Sequence, residues 1–395
     1  MYPLDHDGDH DRSECANTRA RWKQALALVT TNVKKPERRP RYIRRAPVPP
    51  LRGSGTNPHM DNLLNWLKQP IAWWLHLRSQ MPELEIERFG LIYVYPIFLV
   101  LIIIEYVKAK ELFDLKESFS GFLIGMGATV MRVLTNVFEI TLYMWLFWTF
   151  APLREKYLGY TTLGFAWYVW VACVILDDHN IYWHHRLAHN VRLLWAAHLP
   201  HHSGRQYNLT ISIRNGWFIT LVKPIYWLWM PIVGFEPIMI ATCLIANAFY
   251  QFTLHSQLLP SFGWIERIFN TSYVHVVHHS CNTEYLDRNH GGIFTFWDRL
   301  YRTWQAPIKG VVPKFGISHD PDTNNPITHN IFEFQEIWKD VKKAPGLKNK
   351  LMYIFGPPGW SHDGSSMTSK QLQAELAQAK AKGQQVPEHV FVRSN

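Results

Sequence analysis

Long stretches without a charged residue limit most strongly what this chain can fold into. Tyr157–Leu176 contains 20 residues and Pro237–Ile265 contains 29 residues with no Asp, Glu, Lys or Arg. A helix needs about 20 apolar residues to cross the hydrocarbon core of a bilayer, and a surface helix of a soluble protein keeps a charged face. Three shorter apolar runs, Phe89–Ile104, Phe119–Met131 and Ile140–Leu153, accompany these two, as does Asn215–Phe235, whose only charged residue is Lys223. We therefore predict an all-α integral membrane protein with about four or five membrane segments.

The two ends of the chain differ in character from this apolar middle. Residues 1–59 hold 12 Lys and Arg against 6 Asp and Glu. They are predicted to form a basic, disordered extension that suits an anionic membrane surface or serves in targeting. Residues 60–84 mix Leu and Trp with Lys68 and His76, which predicts an interfacial helix. Residues 85–304 are the predicted membrane domain, and residues 305–395 are a polar C-terminal tail.

Histidine is concentrated in and around two polar insertions, Asp177–Arg214 and Glu266–Thr303. Of the 20 histidines, 12 lie between His179 and His290. Three groups stand out because their members recur at i, i+3 or i+4, the spacings that share one face of a helix. These groups are His185 and His189; His198, His201 and His202; and His275, His278 and His279. Each group is predicted to aim two or three imidazoles at one point.

Eight imidazoles are too many for one metal ion of ordinary coordination, because zinc takes four protein ligands or fewer. Two metal ions sharing the set is the simpler hypothesis, and imidazole suits zinc, copper, iron and nickel alike. The neighbouring His184 lies about 100° around the helix from His185 and is expected to face elsewhere. The ligands thus predict a histidine-rich, helical di-metal domain at the membrane face.

Asp178 precedes His185 by seven residues, two helical turns along the same face. Its carboxylate could accept the free ring N–H of a ligand histidine and so fix that histidine's tautomer. It could equally cap the helix together with Asp177. Asp178 is therefore a candidate catalytic residue with a structural alternative.

The spacing HX3H, HX2HH, HX2HH resembles the fatty acid hydroxylase/sterol desaturase superfamily of membrane non-haem di-iron oxygenases. The surrounding residues are similar too: Tyr182–His189, Leu194–His198, Asp287–Gly292 and Trp297–Leu300. Within the superfamily the chain most resembles the alkylglycerol monooxygenase-like branch, through Gly316–His319 and Ile354–Trp360. One departure is Asn190, where that branch has Glu after the first histidine box.

The resemblance implies two iron ions, O2 and two external electrons, used to hydroxylate or desaturate a C–H bond of a sterol, fatty acyl or ether lipid. It also makes His255, four residues after Gln251, either a ninth ligand or a buried hydrogen-bonded histidine. Asn289, in the motif that resembles the family's N-Y-G, joins Asp178 as a candidate catalytic residue. The electrons would come from tetrahydrobiopterin or from an external cytochrome b5 or ferredoxin-type donor. The expected partners are the lipid, the bilayer and this donor, and no nucleic acid.

Topology adds one constraint, because the second and third histidine boxes must meet on one side of the membrane. Asn215–Phe235 and Pro237–Ile265 can return the chain as a hairpin. The basic N-terminal residues favour a metal site on the cytoplasmic face, in the endoplasmic reticulum of a eukaryote or the inner membrane of a bacterium.

A histidine-based membrane metal transporter or metal store is the alternative function. Transport sites place ionisable residues at mid-membrane within several helices. Here the histidines lie mostly in the polar insertions, which favours the oxygenase.

Overall fold

A computed structural model of the chain describes residues 90–383. The predicted basic extension, residues 1–59, and the predicted interfacial helix, residues 60–84, lie outside the described residues. All described residues belong to one compact unit, Glu83–Asn395.

Within residues 90–383 the chain is helical, and its only β feature is an isolated bridge between Phe269 and Phe294. The all-α prediction is confirmed. A π-helical turn, Gly90–Val94, leads into the first helix, and 3-10 turns occur at Lys110–Leu112, Lys223–Trp227, Gly263–Arg267 and Thr283–Tyr285. The α-helices are α1 Tyr95–Lys108, α2 Leu115–Leu158, α3 Trp167–Asn190, α4 Arg192–His202, α5 Thr210–Ile213, α6 Ile219–Val222, α7 Trp229–Val233, α8 Pro237–Thr253, α9 Ser272–His278, α10 Phe296–Leu300, α11 Pro326–Lys343, α12 Gly346–Phe355 and α13 Ser369–Ala381.

Helix α2 is a single helix of 44 residues, where the sequence predicted two apolar segments interrupted by Arg132 and Glu139. Asp114 caps its start by accepting hydrogen bonds from two backbone N–H groups of the first turn. Gly159, with φ of 79°, ends it in the left-handed conformation that glycine adopts readily. The two interrupting charges form an ion pair with each other, and the helix continues through them because Arg and Glu are both good helix formers. At about 1.5 Å per residue the helix is roughly 66 Å long, about twice the hydrocarbon thickness of a bilayer.

Among the described helices, only α2 is long and apolar enough to cross a membrane on its own. The run Asn215–Phe235 is broken into short helical turns, two of which contain Pro224 and Pro231. The run Pro237–Ile265 is α-helical only as far as Thr253, and the run Tyr157–Leu176 is interrupted between the end of α2 at Leu158 and the start of α3 at Trp167. The predicted number of four or five membrane segments is therefore not confirmed by helix length.

A continuous apolar stripe runs along the outside of α2. It consists of side chains at steps of four residues, each more than a third exposed: Phe122, Met126, Val130, Leu134, Phe138 and Leu142. The helix buries its other side, including Ile124 and Val137, against the rest of the protein. The helix α1 is similarly apolar and exposed at Leu99 and Val100. An apolar surface of this extent is typical of contact with a membrane or a partner.

The C-terminal part of the chain packs on the helices that carry histidines. Helix α11 lies against α4, where Arg192 pairs with Glu333 and Asp340 at 2.7 Å each. Helix α13 lies beside the 3-10 turn Thr283–Tyr285, and the Nε2 amide of Gln373 donates to the carbonyl of Leu286 at 2.9 Å. The predicted polar tail therefore forms a wall beside the histidines.

Candidate metal centre

Three helices bring the histidine boxes together. Helix α3 carries the first box at its C-terminal end, and an extended residue, Val191, turns the chain directly into α4, which carries the second box. These two helices pack closely against each other, and α9 carries the third box. His255 follows α8 by two residues.

All nine predicted ligands are buried, and they form two groups. The five-histidine site consists of His185, His189, His198, His202 and His278. The four-histidine site consists of His201, His255, His275 and His279. Within each site one ring nitrogen per residue lies within 4.8 Å of all the others.

The second and third boxes are each divided between the two sites, which corrects the expectation that each box aims at one point. In the second box His198 and His202, at i and i+4, enter the five-histidine site, and His201 enters the other. Adjacent helical residues point about 100° apart, so His201 and His202 face different centres. In the third box His278 enters the five-histidine site, whereas His275 and His279 enter the four-histidine site.

The spacing of the ring nitrogens fits metal coordination. In the five-histidine site the Nε2 atom of His202 is 3.1 Å from that of His198 and 3.2 Å from that of His278. In the four-histidine site the Nε2 atom of His255 is 3.0 to 3.3 Å from those of its three companions. Nitrogens that share a metal ion at about 2.1 Å are separated by roughly 3.0 to 3.4 Å for right-angled to tetrahedral geometry. Each set therefore surrounds a point that one ion can occupy.

The hydrogen-bonding state of these rings supports the same interpretation. His255 Nδ1 lies 2.9 Å from the carbonyl of Gln251, so that nitrogen carries the proton and Nε2 presents a lone pair. The Nε2 atoms of His185 and His189 are buried and have no hydrogen-bond partner among the described residues. A buried polar atom normally has a hydrogen-bond partner. A metal ion at the centre of the site would bind the lone pair of each of these two nitrogens in place of such a partner.

Burial keeps the histidines of the second and third boxes in the neutral form that binds metal. Desolvation lowers the pKa of each of these rings well below the usual value, helped by neighbouring imidazoles; they are His198, His201, His202, His275, His278 and His279. Burial also lowers the pKa of His255 to about 4. Metal ligation by imidazole requires the deprotonated nitrogen.

One short segment, Asp287–His290, contacts the second ring nitrogens of three ligands in the five-histidine site. His185 Nδ1 lies 3.0 Å from the carbonyl oxygen of His290, and His278 Nδ1 lies 2.8 Å from that of Arg288. An Asp287 carboxylate oxygen is 3.4 Å from His189 Nδ1. The sequence prediction missed this segment as a support for the ligands, because two of its three contacts come from backbone carbonyls that no residue type reveals.

Asp178 does not contact a ligand histidine, which corrects its predicted role. Its carboxylate accepts hydrogen bonds from the backbone N–H groups of Ile293 and Phe294, at 2.6 and 3.0 Å, and from Asn247 at 3.2 Å. The alternative, a helix cap, is also wrong, because Asp178 lies in the interior of α3. Its carboxylate instead fixes the loop that follows His290.

Asn289 lies beside the predicted ligands, and its side chain links two neighbouring parts of the backbone. Its amide Nδ2 donates to the carbonyls of Val274 and Gln305 at 3.0 and 2.7 Å, and its Oδ1 accepts from the Gln305 N–H at 2.8 Å. These bonds tie the segment to α9 next to His275. A catalytic role for Asn289 stays a prediction.

The remaining histidines of the cluster lie outside both sites. His184 packs edge-on against Tyr226 with ring centroids 5.3 Å apart, as the helical angle predicted. His179 contacts Tyr301 and Trp183. His290 is fully buried beside His185, His189 and His278, with ring centroids 5.2 to 5.6 Å away.

A cavity of about 130 Å³ lies against the histidines on the side of the C-terminal helices. Its wall includes His189, His202, His278 and His279, together with Asp287, Cys281, Ile317, Pro358, Met367 and Leu372. A small molecule in this cavity would be next to both metal positions, because its wall contains ligands of both.

Comparison with known proteins agrees with this site. Residues 170–303, which include all nine predicted ligands, match the fatty acid hydroxylase family model. The alkylglycerol monooxygenase of Homo sapiens is 30% identical over 274 residues, which cover 67% of this chain and 58% of that enzyme. The predicted resemblance to the superfamily and to its alkylglycerol monooxygenase-like branch is confirmed.

Other relatives carry different lipid names. Ornithine lipid hydroxylase OlsE of Rhizobium tropici is 30% identical over 152 residues, 37% of this chain and 44% of that protein. Cholesterol 25-hydroxylase of Homo sapiens is 24% identical over 257 residues, 60% of this chain and 89% of that protein. The chain spans about half the length of the alkylglycerol monooxygenases that it matches. No solved structure is significantly similar to it.

Proposed function

We propose, from the premise that residues 170–303 are a fatty acid hydroxylase domain, that this chain is a membrane-bound di-iron oxygenase that hydroxylates a lipid. The observation that carries the proposal is the convergence of nine buried imidazoles on two points, where the ring nitrogens of each site lie within 4.8 Å of one another and five Nε2 pairs are 3.0 to 3.3 Å apart. Iron held there would supply the redox chemistry with O2 that zinc lacks.

The protein's own residues supply position and environment. The nine histidines hold the ions, and the Asp287–His290 segment fixes the rings of three of them. The burial of all nine histidines limits the access of bulk water to the site. The arrangement is suited to oxidation of an unactivated C–H bond, because a dry, ordered site protects reactive species from side reactions.

The lipid nature of the substrate is supported by two observations. The relatives that match are named for alkylglycerol, ornithine lipid and cholesterol, all of them lipids. The apolar stripe on α2 and the exposed side chains of α1 give the domain a surface that suits the bilayer from which such a substrate would enter. We place the substrate among sterols, fatty acyl lipids and ether lipids. We prefer hydroxylation to desaturation because four of the relatives, which match over 37% to 76% of this chain together with the ornithine lipid hydroxylase, are monooxygenases, whereas the sterol desaturase among the relatives is 22% identical.

We also propose a multi-pass arrangement with the metal centre facing the cytoplasm. Besides α2, the helices α1 and α8 and the turns between residues 219 and 233 are apolar. The excess of Lys and Arg in residues 1–59 favours a cytoplasmic N-terminal side. The electron donor is tetrahydrobiopterin or a protein of the cytochrome b5 or ferredoxin type.

The test uses the full-length chain, purified from membranes and loaded with ferrous iron. It is incubated with a total lipid extract under oxygen-18 gas, once with tetrahydrobiopterin and once with a reductase and cytochrome b5 or ferredoxin. We expect lipids that gain one labelled oxygen atom, and none in the His185→Ala variant. The matched variant His184→Ala, one residue away and off both sites, should retain the product. A lipid that gains a double bond without label would replace hydroxylation by desaturation. Iron-loaded protein that forms neither a labelled nor a newly desaturated lipid with any donor would refute the oxygenase and favour metal storage or transport.

A further inference from the structure

We propose that the two metal sites are not equivalent: the five-histidine site holds its ion tightly through the Asp287–His290 segment, and the four-histidine site holds its ion weakly and exchanges it. This inference rests on the part of the proposed function that has both sites bind metal. It does not depend on which lipid is oxidised.

The two sites differ in the number of predicted ligands whose second ring nitrogen has a partner. In the five-histidine site three of the five rings, His185, His189 and His278, face a partner on the Asp287–His290 segment at 2.8 to 3.4 Å. Such partners fix the tautomer and the orientation of the ring and raise its basicity. One continuous piece of chain therefore orients most of this site.

The backbone of the segment Asp287–His290 is itself held in an unusual conformation. Asp287 and Asn289 both have φ of 55°, in the left-handed region that Asp and Asn tolerate better than most residues. Alternating left-handed residues turn the carbonyls of Arg288 and His290 toward the two histidines. The strained conformation is concentrated at a functional site, where surrounding contacts must maintain it.

Hydrogen bonds made by three side chains maintain this conformation of the segment Asp287–His290. The buried carboxylate of Asp298 accepts hydrogen bonds from the N–H groups of His290 and Gly291, both at 2.8 Å. The side chain of Asn289 ties the segment to α9, and Asp178 holds the residues that follow. Gly292 permits the close packing, because a Cβ there would lie 2.6 Å from a carboxylate oxygen of Asp178. The segment is therefore fixed from three sides by contacts that involve no metal ligand side chain.

The four-histidine site has much less of this support. The Nδ1 atom of His255 lies 2.9 Å from the carbonyl of Gln251. The Nδ1 atoms of His201 and His275 are buried and make no hydrogen bond with any described residue, although the carbonyls of Ile211 and Arg214 lie near His201. This site also offers one imidazole fewer, which leaves more of the ion's coordination positions open to small molecules.

The expected consequence is a difference in metal retention. Loss of one partner at the second nitrogen of a ligand typically costs ~10–100-fold in metal affinity. The five-histidine site has two hydrogen-bonded partners and the 3.4 Å contact of Asp287, whereas the four-histidine site has one hydrogen-bonded partner and one ligand fewer. We therefore expect the ion in the four-histidine site to leave roughly 10–100-fold faster. The ion that we expect to exchange, in the four-histidine site, is also the one with more open coordination positions.

The experiment measures metal release from the full-length, iron-loaded protein in detergent under anaerobic conditions. Protein-bound iron is followed by elemental analysis while EDTA is present in excess. We expect two phases of one equivalent each, with the fast phase belonging to the four-histidine site. The variant His255→Gln should lose the fast equivalent and release the other at the rate of the unchanged protein.

The matched pair of variants is Asp287→Asn and Asp322→Asn. Both positions have a left-handed backbone, with φ of 55° and 50°, and Asn preserves it. Asp322 pairs with Arg205 at the surface instead of with a ligand. We expect Asp287→Asn to accelerate the slow phase ~10–100-fold and to leave the fast phase unchanged, and Asp322→Asn to change neither.

The outcomes separate this inference from the proposed function. Two equivalents that leave in one phase, or an Asp287→Asn variant that accelerates both phases equally, would overturn the inference and leave the di-metal centre intact. A protein that retains no iron after loading would overturn both.

Discussion

The five-histidine and four-histidine sites use the same ligand in the same buried interior, and they differ in what stands behind the ligands. Behind the five-histidine site lies Asp287–His290, whose carbonyls and carboxylate contact three of the rings. Among the described residues behind the four-histidine site, His255 has its second nitrogen bonded to the carbonyl of Gln251 in α8, whereas those of His201 and His275 make no hydrogen bond. The comparison teaches that helical spacing selects the ligands, whereas an irregular segment determines how rigidly they are held.

The largest effect is expected from removing a ligand. His278→Ala removes a ring of the five-histidine site and the contact to Arg288 together. Metal retention and turnover should fall more than ~100-fold, beyond the loss typical of a second-nitrogen partner. Elemental analysis and product formation check this, with His184→Ala as control. Near-normal iron content in His278→Ala would place the ligand set elsewhere.

A smaller effect is expected from Asp178→Asn, which acts on the five-histidine site through the loop after His290. The change removes a buried carboxylate that accepts two backbone N–H groups, and buried groups left unsatisfied typically cost about 1–3 kcal/mol. The free energy of unfolding should fall by about that amount, and release of the tightly held iron should accelerate less than in Asp287→Asn.

Asp177→Asn is the matched control for this prediction. Asp177 is also buried in α3, but it accepts from Trp227 and Asn247 and has no contact with the loop. It should lower stability without changing the rate of iron release. If both variants change iron release equally, Asp178 acts on general stability and not on the five-histidine site.

The smallest effect is expected from two variants of Asn289, which separate the role of its backbone conformation from that of its side chain. Both Asn289→Gly and Asn289→Ala remove the bonds to Val274 and Gln305, but only glycine adopts φ of 55° freely. The alanine variant should be less stable than the glycine variant by about 1–2 kcal/mol, as measured by denaturant unfolding of the detergent-solubilised protein. Equal stabilities would show that the left-handed conformation imposes no constraint, and the argument for a fixed segment would weaken.

The ligands could be predicted from the sequence because helical periodicity is local. Spacings of three and four residues place His198, His201 and His202 within one helical turn, whatever the rest of the chain does. Their division between two sites could not be predicted, since it depends on how α3, α4 and α9 pack. The role of Asp178 was misjudged for the same reason: its distance along the helix from His185 was right, but its partners come from a loop 115 residues away.

For the membrane segments, the sequence could not predict where each helix begins and ends. An apolar run records which residues avoid water, but not whether they form one helix. Arg132 and Glu139 looked like an interruption in α2 because the ion pair between them is a property of the folded helix. Asn215–Phe235 looked continuous, although Pro224 and Pro231 fall within short helical turns.

The most direct test of the central claim is the iron content of the purified, membrane-extracted chain and of two variants. We expect close to two irons per chain after loading, about one in His255→Gln, and two in His184→Ala. One iron per chain in the unchanged protein, not raised by further iron, would contradict the existence of two histidine sites.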